Sequence, residues 1–414
     1  MKPKAFSILF VMATVAALAL AACAQPAPTP APAAPAATTA PAAPAASTAL
    51  TTTSAMTTTA PAASSGGTPS AYKVGFENHL TGDGAVYGQS LMKGTQLAVD
   101  DINASGGING VPLQVIYEDD RMSAADAQTA FLKLVQSDKV PVVMGSASSS
   151  VSLSICPKAN EMHIVQISSV STAEALRQCG KYFFSVMASD SEQGAEWVAV
   201  AKSLNVTQAA VMYINNDYGI GVKDTFVKAF QAAGGTILIA QPFEEGNKDF
   251  RTEVLKVKTT NAKYVFIVDH VAEGSLVIRQ AKELGFTPQW VVDVSMETPE
   301  VIQQAGADAA EGAIGLSAGS TQTPQYKAFH DEFVKKFNVE PTIWSNFAYD
   351  TTMLVAKAIA KGGYTADGIQ QALFDVSNDY VGASGAKKFD AQGFSQGSFD
   401  WMTVKNGQWV LYPH

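Results

Sequence analysis

Between Ala24 and Ser70 the chain contains no charged and no aromatic residue; it is almost entirely Ala, Pro, Thr and Ser. Such a stretch cannot bury enough apolar area to offset its ordering entropy, which excludes a folded domain there. It reads as a leash: a flexible coil of that length spans roughly 40 Å root-mean-square, and its prolines extend it further. An O-glycosylated stalk would have the same composition. Cysteine is equally scarce, with three in 414 residues, which excludes a disulfide-dense scaffold, and no second Cys/His pair has zinc-ligand spacing. The five histidines, His79, His163, His270, His330 and His414, are too scattered to form a metal cluster. Basic residues are outnumbered 28 to 37, giving a net charge of −9 that argues against nucleic acid and anionic lipid as partners. No HExxH, no Walker A and no dinucleotide glycine motif in a strand-to-helix setting occurs, so neither a metal nor a nucleotide cofactor is indicated.

What is present begins at the first residues. Lys2 and Lys4 precede an apolar run from Ala5 to Ala19, too short to span a bilayer and fitting a secretory signal peptide. It ends in Leu20-Ala21-Ala22-Cys23, which resembles the bacterial lipobox, with Cys23 as the thiol that is lipidated. Residues 1–23 are thus read as signal and lipobox and 24–70 as linker. Removing the signal's Lys2 and Lys4 takes the chain's −9 to −11 for the exported body. The two remaining cysteines, Cys156 and Cys179, form an even pair in a protein read as exported, so a disulfide is expected, stabilising by about 3 kcal/mol through loop closure.

From residue 71 onward the chain is long enough for two domains. Strand-like runs at Tyr72–Phe76, Leu113–Tyr117, Val140–Met144 and His163–Ile167 alternate with helical patterns. A second series follows at Ala209–Ile214, Thr236–Ala240, Tyr264–Val268, Gln289–Val292 and Ala313–Leu316. Each crossover is long enough for parallel strands, predicting two doubly wound α/β lobes. Helical patterns at Tyr326–Phe337 and Ile343–Lys361 come after both series, which suggests that the chain crosses back between lobes. Asn406-Gly407 marks a closing hairpin.

Three local patterns could carry chemistry. Gly315-Leu316-Ser317-Ala318-Gly319 matches the nucleophile elbow of a serine hydrolase, but no helix follows it at once, and a strand-end crossing loop is the competing reading. Ser148-Ser149-Ser150 and Ser168-Ser169-Val170-Ser171-Thr172 each follow a strand. In an open α/β sheet ligands gather beyond those strand ends, where hydroxyls and helix N-terminal amides suit a carboxylate; the alternative is that these residues are ordinary N-caps. Asp217-Tyr218-Gly219-Ile220-Gly221 follows a strand of the second series, where Tyr218 offers a ring and a hydroxyl to the opposing lobe, or simply packs.

The order of motifs resembles the branched-chain amino-acid-binding family of ABC-transporter periplasmic proteins, of the type I periplasmic-binding fold. It rests on Leu80-Thr81-Gly82, Tyr87-Gly88, Gly94, Ala98, and the run from Asp100 through Ile108-Asn109-Gly110. It continues with Tyr117-Glu118-Asp119-Asp120, the turn from Gly145 to Ser150, Thr172, Asp190 to Gly194, and Asp217-Tyr218-Gly219. The resemblance implies two doubly wound parallel-sheet lobes joined by a three-segment hinge, lobe one over 71–189 with 317–388 and lobe two over 190–316 with 389–414. It implies a receptor without enzymatic activity that binds a small amino-acid-like ligand, a branched-chain amino acid first, and hands it to permease subunits while the lipid anchor holds it at the membrane. Receptors of the same fold for an amide, urea or aromatic acid are the alternative. Carried over by position, Ser149 and Thr172 hold the ligand carboxylate, the Val170 carbonyl accepts from its ammonium, and Tyr87 and Tyr218 wall the cleft. His270 stands where branched-chain binders carry an aromatic residue. Val294 falls where they carry a carboxylate for the ammonium, with Asp293 next to it as the candidate for that role.

Overall fold

The computed structural model describes residues 69–413; the signal-like stretch with Cys23 and the linker up to residue 68 lie outside the described residues. The first series of elements is β1 (Tyr72–Asn78), α1 (Ala85–Ala104), β2 (Leu113–Asp119), α2 (Ala124–Leu132), β3 (Val142–Gly145), α3 (Ser149–Glu161), β4 (Val165–Ser168) and β5 (Phe183–Ser185). The second is α4 (Asp190–Ser203), β6 (Gln208–Ile214), α5 (Asp217–Ala232), β7 (Thr236–Phe243), α6 (Arg251–Thr259), β8 (Tyr264–Val268), α7 (Val271–Glu283), β9 (Gln289–Val292), α8 (Pro299–Ala305), α9 (Ala307–Ala310) and β10 (Ile314–Ala318). Then come α10 (Pro324–Phe337), α11 (Ile343–Gly362), α12 (Ala366–Ser377), β11 (Tyr380–Gly382), β12 (Gly385–Lys387), β13 (Phe399–Lys405) and β14 (Gln408–Leu411).

The first sheet has the order β2-β1-β3-β4-β5 with every pair parallel. The second runs β14-β13-β10-β9-β8-β6-β7 and is parallel from β10 to β7. The two α/β sheets expected from the βα alternation are present, and the second gains an antiparallel edge, β13–β14. Its turn residues Asn406 and Gly407 both have positive φ, 55° and 73°, the twist that suits a two-residue hairpin. Each parallel series reverses direction once, between β1 and β3 in one sheet and between β6 and β8 in the other. Such switch points leave a crevice at the carboxyl ends of the strands.

The central strands β3, β4, β8, β9 and β10 are buried on both faces, as helices on each side require, while the edge strands β2, β7 and β14 are partly exposed. Phe266 on β8 packs against Phe226 and Trp197 at ring distances of 4.3 and 5.3 Å. Helices α10 to α12 return to the first sheet's half, where α11 lies on α1. A Cβ on Gly94 would sit 2.0 Å from the Ser345 carbonyl oxygen, so this approach of two helices requires glycine. The chain passes between halves near residues 186–189, 319–323 and 388–398. These passages are bound side by side: Ser395 N–H donates to the Ser185 carbonyl at 2.9 Å, and Gly319 N–H to that of Ser398 at 2.8 Å. Cys156 and Cys179 are bonded, tying α3 to the segment before β5. No described helix is long and apolar enough to cross a membrane.

Candidate functional site

The carboxyl ends of six strands converge on one cavity. From the first sheet come His79 after β1, Ala147 to Ser149 after β3 and Val170 after β4; from the second come Tyr218 after β6, His270 after β8 and Ser295 after β9. Tyr87 of α1, Trp344 of α11 and Met122 complete the wall. The space between them is about 40 Å³, room for ordered water but not for a small organic ligand unless the walls part.

The serine turns are knitted together rather than capped. Ser148 occupies the N-cap of α3 without a side-chain capping bond. Ser149 Oγ accepts from the N–H groups of Thr172 and Ala173, both at 3.3 Å, and Ser150 Oγ accepts from Asp217 N–H of the other half at 3.4 Å. Beneath them Ser168 and Ser171 donate to the Ser146 carbonyl at 2.6 and 2.8 Å, and Ser168 Oγ takes the N–H of Val170 at 3.2 Å. The two turns therefore form one rigid wall, with Ser149 and Val170 facing the cavity. Thr172 lies behind Ser149 and is not part of the wall; its buried hydroxyl has no partner.

On the opposite wall Tyr218 stacks on His270, ring centroids 6.0 Å apart and nearly parallel. Its hydroxyl donates to Asp293, and the Ser295 hydroxyl donates to it at 3.2 Å. Asp293 is fully buried, also accepts from Ser295 N–H at 3.2 Å, and is screened from the cavity by Tyr218. Burial pushes its carboxyl up to about 7 against the pull of those hydrogen bonds. Burial, then the nearby His79, pushes His270 down to about 4, so it is neutral at pH 7; its Nε2 has no hydrogen-bond partner and lies 4.0 Å from Glu245. Tyr87 bridges the halves: its hydroxyl accepts from Val271 N–H at the start of α7 at 2.7 Å, and its ring meets Trp344 edge-on at 5.1 Å.

Of the residues singled out in the sequence, Tyr87, Ser149, Val170, Tyr218 and His270 thus line one cavity, while Thr172 and Asp293 stand directly behind it. Missed were His79, Met122, Ser295 and Trp344. His79 and Ser295 follow strand ends and were open to the same rule that picked out Ser149; Trp344 sits in a long helix with no local signal. None of the described residues lining the cavity is acidic. Ser317 lies elsewhere, inside β10 and not in a strand-to-helix turn. Among the described residues no group of three or more His, Cys, Asp or Glu is arranged to hold a metal ion.

The sequence profile of a periplasmic binding protein family matches residues 71–408. The leucine-, isoleucine-, valine-, threonine- and alanine-binding protein of Pseudomonas aeruginosa is 27% identical over 338 residues, covering 80% of this chain and 89% of that protein. A branched-chain amino acid transporter substrate-binding protein from Streptococcus pneumoniae, solved with isoleucine, is 30% identical with a TM-score of 0.76, over 83% of this chain and all of that one. A leucine-binding protein from Thermotoga maritima is 25% identical with a TM-score of 0.78, over 82% of this chain and 97% of that one.

Proposed function

The chain belongs to the periplasmic binding protein family, and from that premise we propose that it is the exported receptor of an ABC importer that closes on a small amino acid, a branched-chain one first. The observation that carries this reading is the cavity, walled by aromatic and histidine rings from both halves and by the Ser149–Val170 wall from one. In this reading residues 71–189 with 317–388 form one lobe and 190–316 with 389–414 the other, and the three paired passages are the hinge. The ligand carboxylate meets Ser149 and the first amides of α3, its ammonium meets the Val170 carbonyl, and Tyr87, Tyr218 and Trp344 surround the side chain. Contacts to the second lobe form only on closure, so the ligand shifts the population toward the closed form that the permease reads. The lipobox-like Cys23 would hold the receptor at the membrane; palmitate label retained by Cys23→Ala would remove that anchor.

A thermal-shift screen across amino acids, amides and aromatic acids tests the ligand class, since ligand at a hundred times its Kd stabilises by about 2.7 kcal/mol. No amino acid raising the melting temperature would overturn the reading. With the ligand so identified, Ser149→Ala is expected to weaken binding about tenfold by calorimetry, the loss of one hydrogen bond to a charged group. Thr172→Ala should stay within about threefold, because its hydroxyl lies behind the wall and removing it breaks no bond to the ligand. Equal losses in both variants would place Thr172 on the ligand instead.

The screened position of Asp293 favours one second reading, a ligand without an ammonium group. The two separate by pH. A carboxyl titrating near 7 is mostly protonated at pH 6 and mostly ionised at pH 8. If it balances the ligand ammonium, amino-acid affinity should rise roughly five- to tenfold over that interval, and Asp293→Asn should abolish the rise. The unliganded protein has the opposite sign: this group's contribution to stability is full below the ordinary carboxylate range and is lost as pH rises toward about 7. A flat affinity profile would give the ammonium to another group or remove it.

A further inference from the structure

A second and larger cavity, about 660 Å³, lies across the same two halves on the side of the crossing segments. Ser295 and Trp344 face the first cavity; Thr298 and Asn346, a few residues further along the same two segments, line the second. Its wall takes Glu297, Thr298 and Glu300 from the β9–α8 segment, Ser317 from β10, and Glu340 and Asn346 from around the start of α11. Asp400 stands opposite Ser317 in the β10–β13 pairing, and its charge acts on Glu297, which burial pushes up to about 8.

The chemistry of this wall is lopsided. Three acidic side chains line it: Glu297, mostly protonated at pH 7, Glu300, and Glu340, which meets His330 Nε2 at 2.8 Å; among the described residues no Lys, Arg or His lines it. Asn346 and Thr298, only 2% and 3% exposed, have Oδ1 and Oγ1 without a hydrogen-bond partner, and the same holds for one carboxylate oxygen of Glu300 on the same wall. Buried polar atoms are normally paired, so several unpaired acceptors around one cavity call for an occupant rich in donors. An ammonium brings three donors and a guanidinium five, each with positive charge. Tyr326 and Trp409 add aromatic surface of the kind that attracts such cations. No metal-binding group is present among the described residues, and the volume is that of a small-molecule site.

We propose that this cavity is a second binding site, for a small organic cation carrying a primary ammonium or guanidinium group. Its walls come from both halves, so an occupant bridges them beside the crossing segments. The motif around Ser317 thereby gains a place: its hydroxyl lies beside Glu297 in a cation site.

Calorimetry with agmatine, and with n-butanol as neutral control, tests the proposal on the full-length protein. Agmatine should bind and n-butanol should not. Glu300→Gln and Asn346→Leu should each weaken agmatine at least tenfold, with melting temperatures confirming that both variants fold. Isoleucine affinity measured without agmatine should be unchanged in Glu300→Gln, and agmatine should still bind protein saturated with isoleucine. No agmatine binding, equal binding of n-butanol, displacement of agmatine by isoleucine, or agmatine affinity untouched in both variants would each overturn it. Failure of isoleucine and the other amino acids with agmatine binding intact would overturn only the primary function.

Discussion

Replacing Asp350 by alanine is expected to lower folding stability by about 3–5 kcal/mol at pH 7, the usual result of removing one partner of a buried charged network. Asp350, on α11, is fully buried and accepts from the Tyr380 hydroxyl at 2.7 Å, Ala383 N–H at 2.8 Å and Ser384 N–H at 2.6 Å. It thereby pins the β11–β12 hairpin that leads into the third crossing segment. Lys387, 2% exposed, donates to the Ser384 carbonyl at 2.7 Å and lies over the Phe347 ring. Burial brings its ammonium down to about 8, with Asp350 opposing the fall. Without Asp350 the lysine would lose its counter-charge and four donors, the Ser384 hydroxyl among them, their acceptor. For a cation whose folded pKa lies below its unfolded value, the penalty is full below the folded pKa and fades as pH rises toward the unfolded one. The deficit of Asp350→Ala should therefore be smaller at pH 9.5 than at pH 7. Urea denaturation at the two pH values measures both; a deficit under about 1 kcal/mol, or one that grows with pH, would show that the network does not hold the hairpin.

The same network shows where sequence reading stops. The βα alternation was legible because a parallel strand buried on both faces is a run of apolar residues; Tyr264–Val268 and Gln289–Val292 were readable to the residue. The hairpin at Asn406-Gly407 was legible because only a few residue types accept positive φ there. By contrast β5, three residues long, and the pair β11–β12 carry no periodicity, and they form because partners distant in sequence, Gly393 for β5 and Asp350 for the hairpin, meet their backbone groups. The site divides the same way. Ser149, Val170 and Tyr218 follow strands, and the strand-end rule finds them. Trp344 reaches the cavity only through the packing of α11 on α1, and the placing of Tyr218 between Asp293 and the cavity depends on side-chain rotamers that spacing does not encode.

Tyr87→Phe is expected to reduce ligand affinity about 5- to 150-fold while leaving thermal stability of the unliganded protein nearly unchanged, because an unmet buried donor costs about 1–3 kcal/mol and here the closed form alone bears it. Val271 N–H is the first amide of α7, one of the donors a helix leaves unpaired at its start, and the Tyr87 hydroxyl from the other half is its acceptor. With the halves apart, water takes that role; with them together, phenylalanine offers nothing. The ring itself stays, held edge-on against Trp344 and His270, so the cavity keeps its shape. If the hydroxyl acts only on closure, the loss should be the same for every ligand identified in the screen, and stopped-flow kinetics should assign it to faster release. If the hydroxyl instead contacts the ligand, the loss will vary between an amino acid and its amide. Tyr87→Ala should lose more than Tyr87→Phe for both, since it also removes the ring. Affinity within twofold of the parent protein in Tyr87→Phe would mean that the bridge from α1 to α7 does not set the closed state.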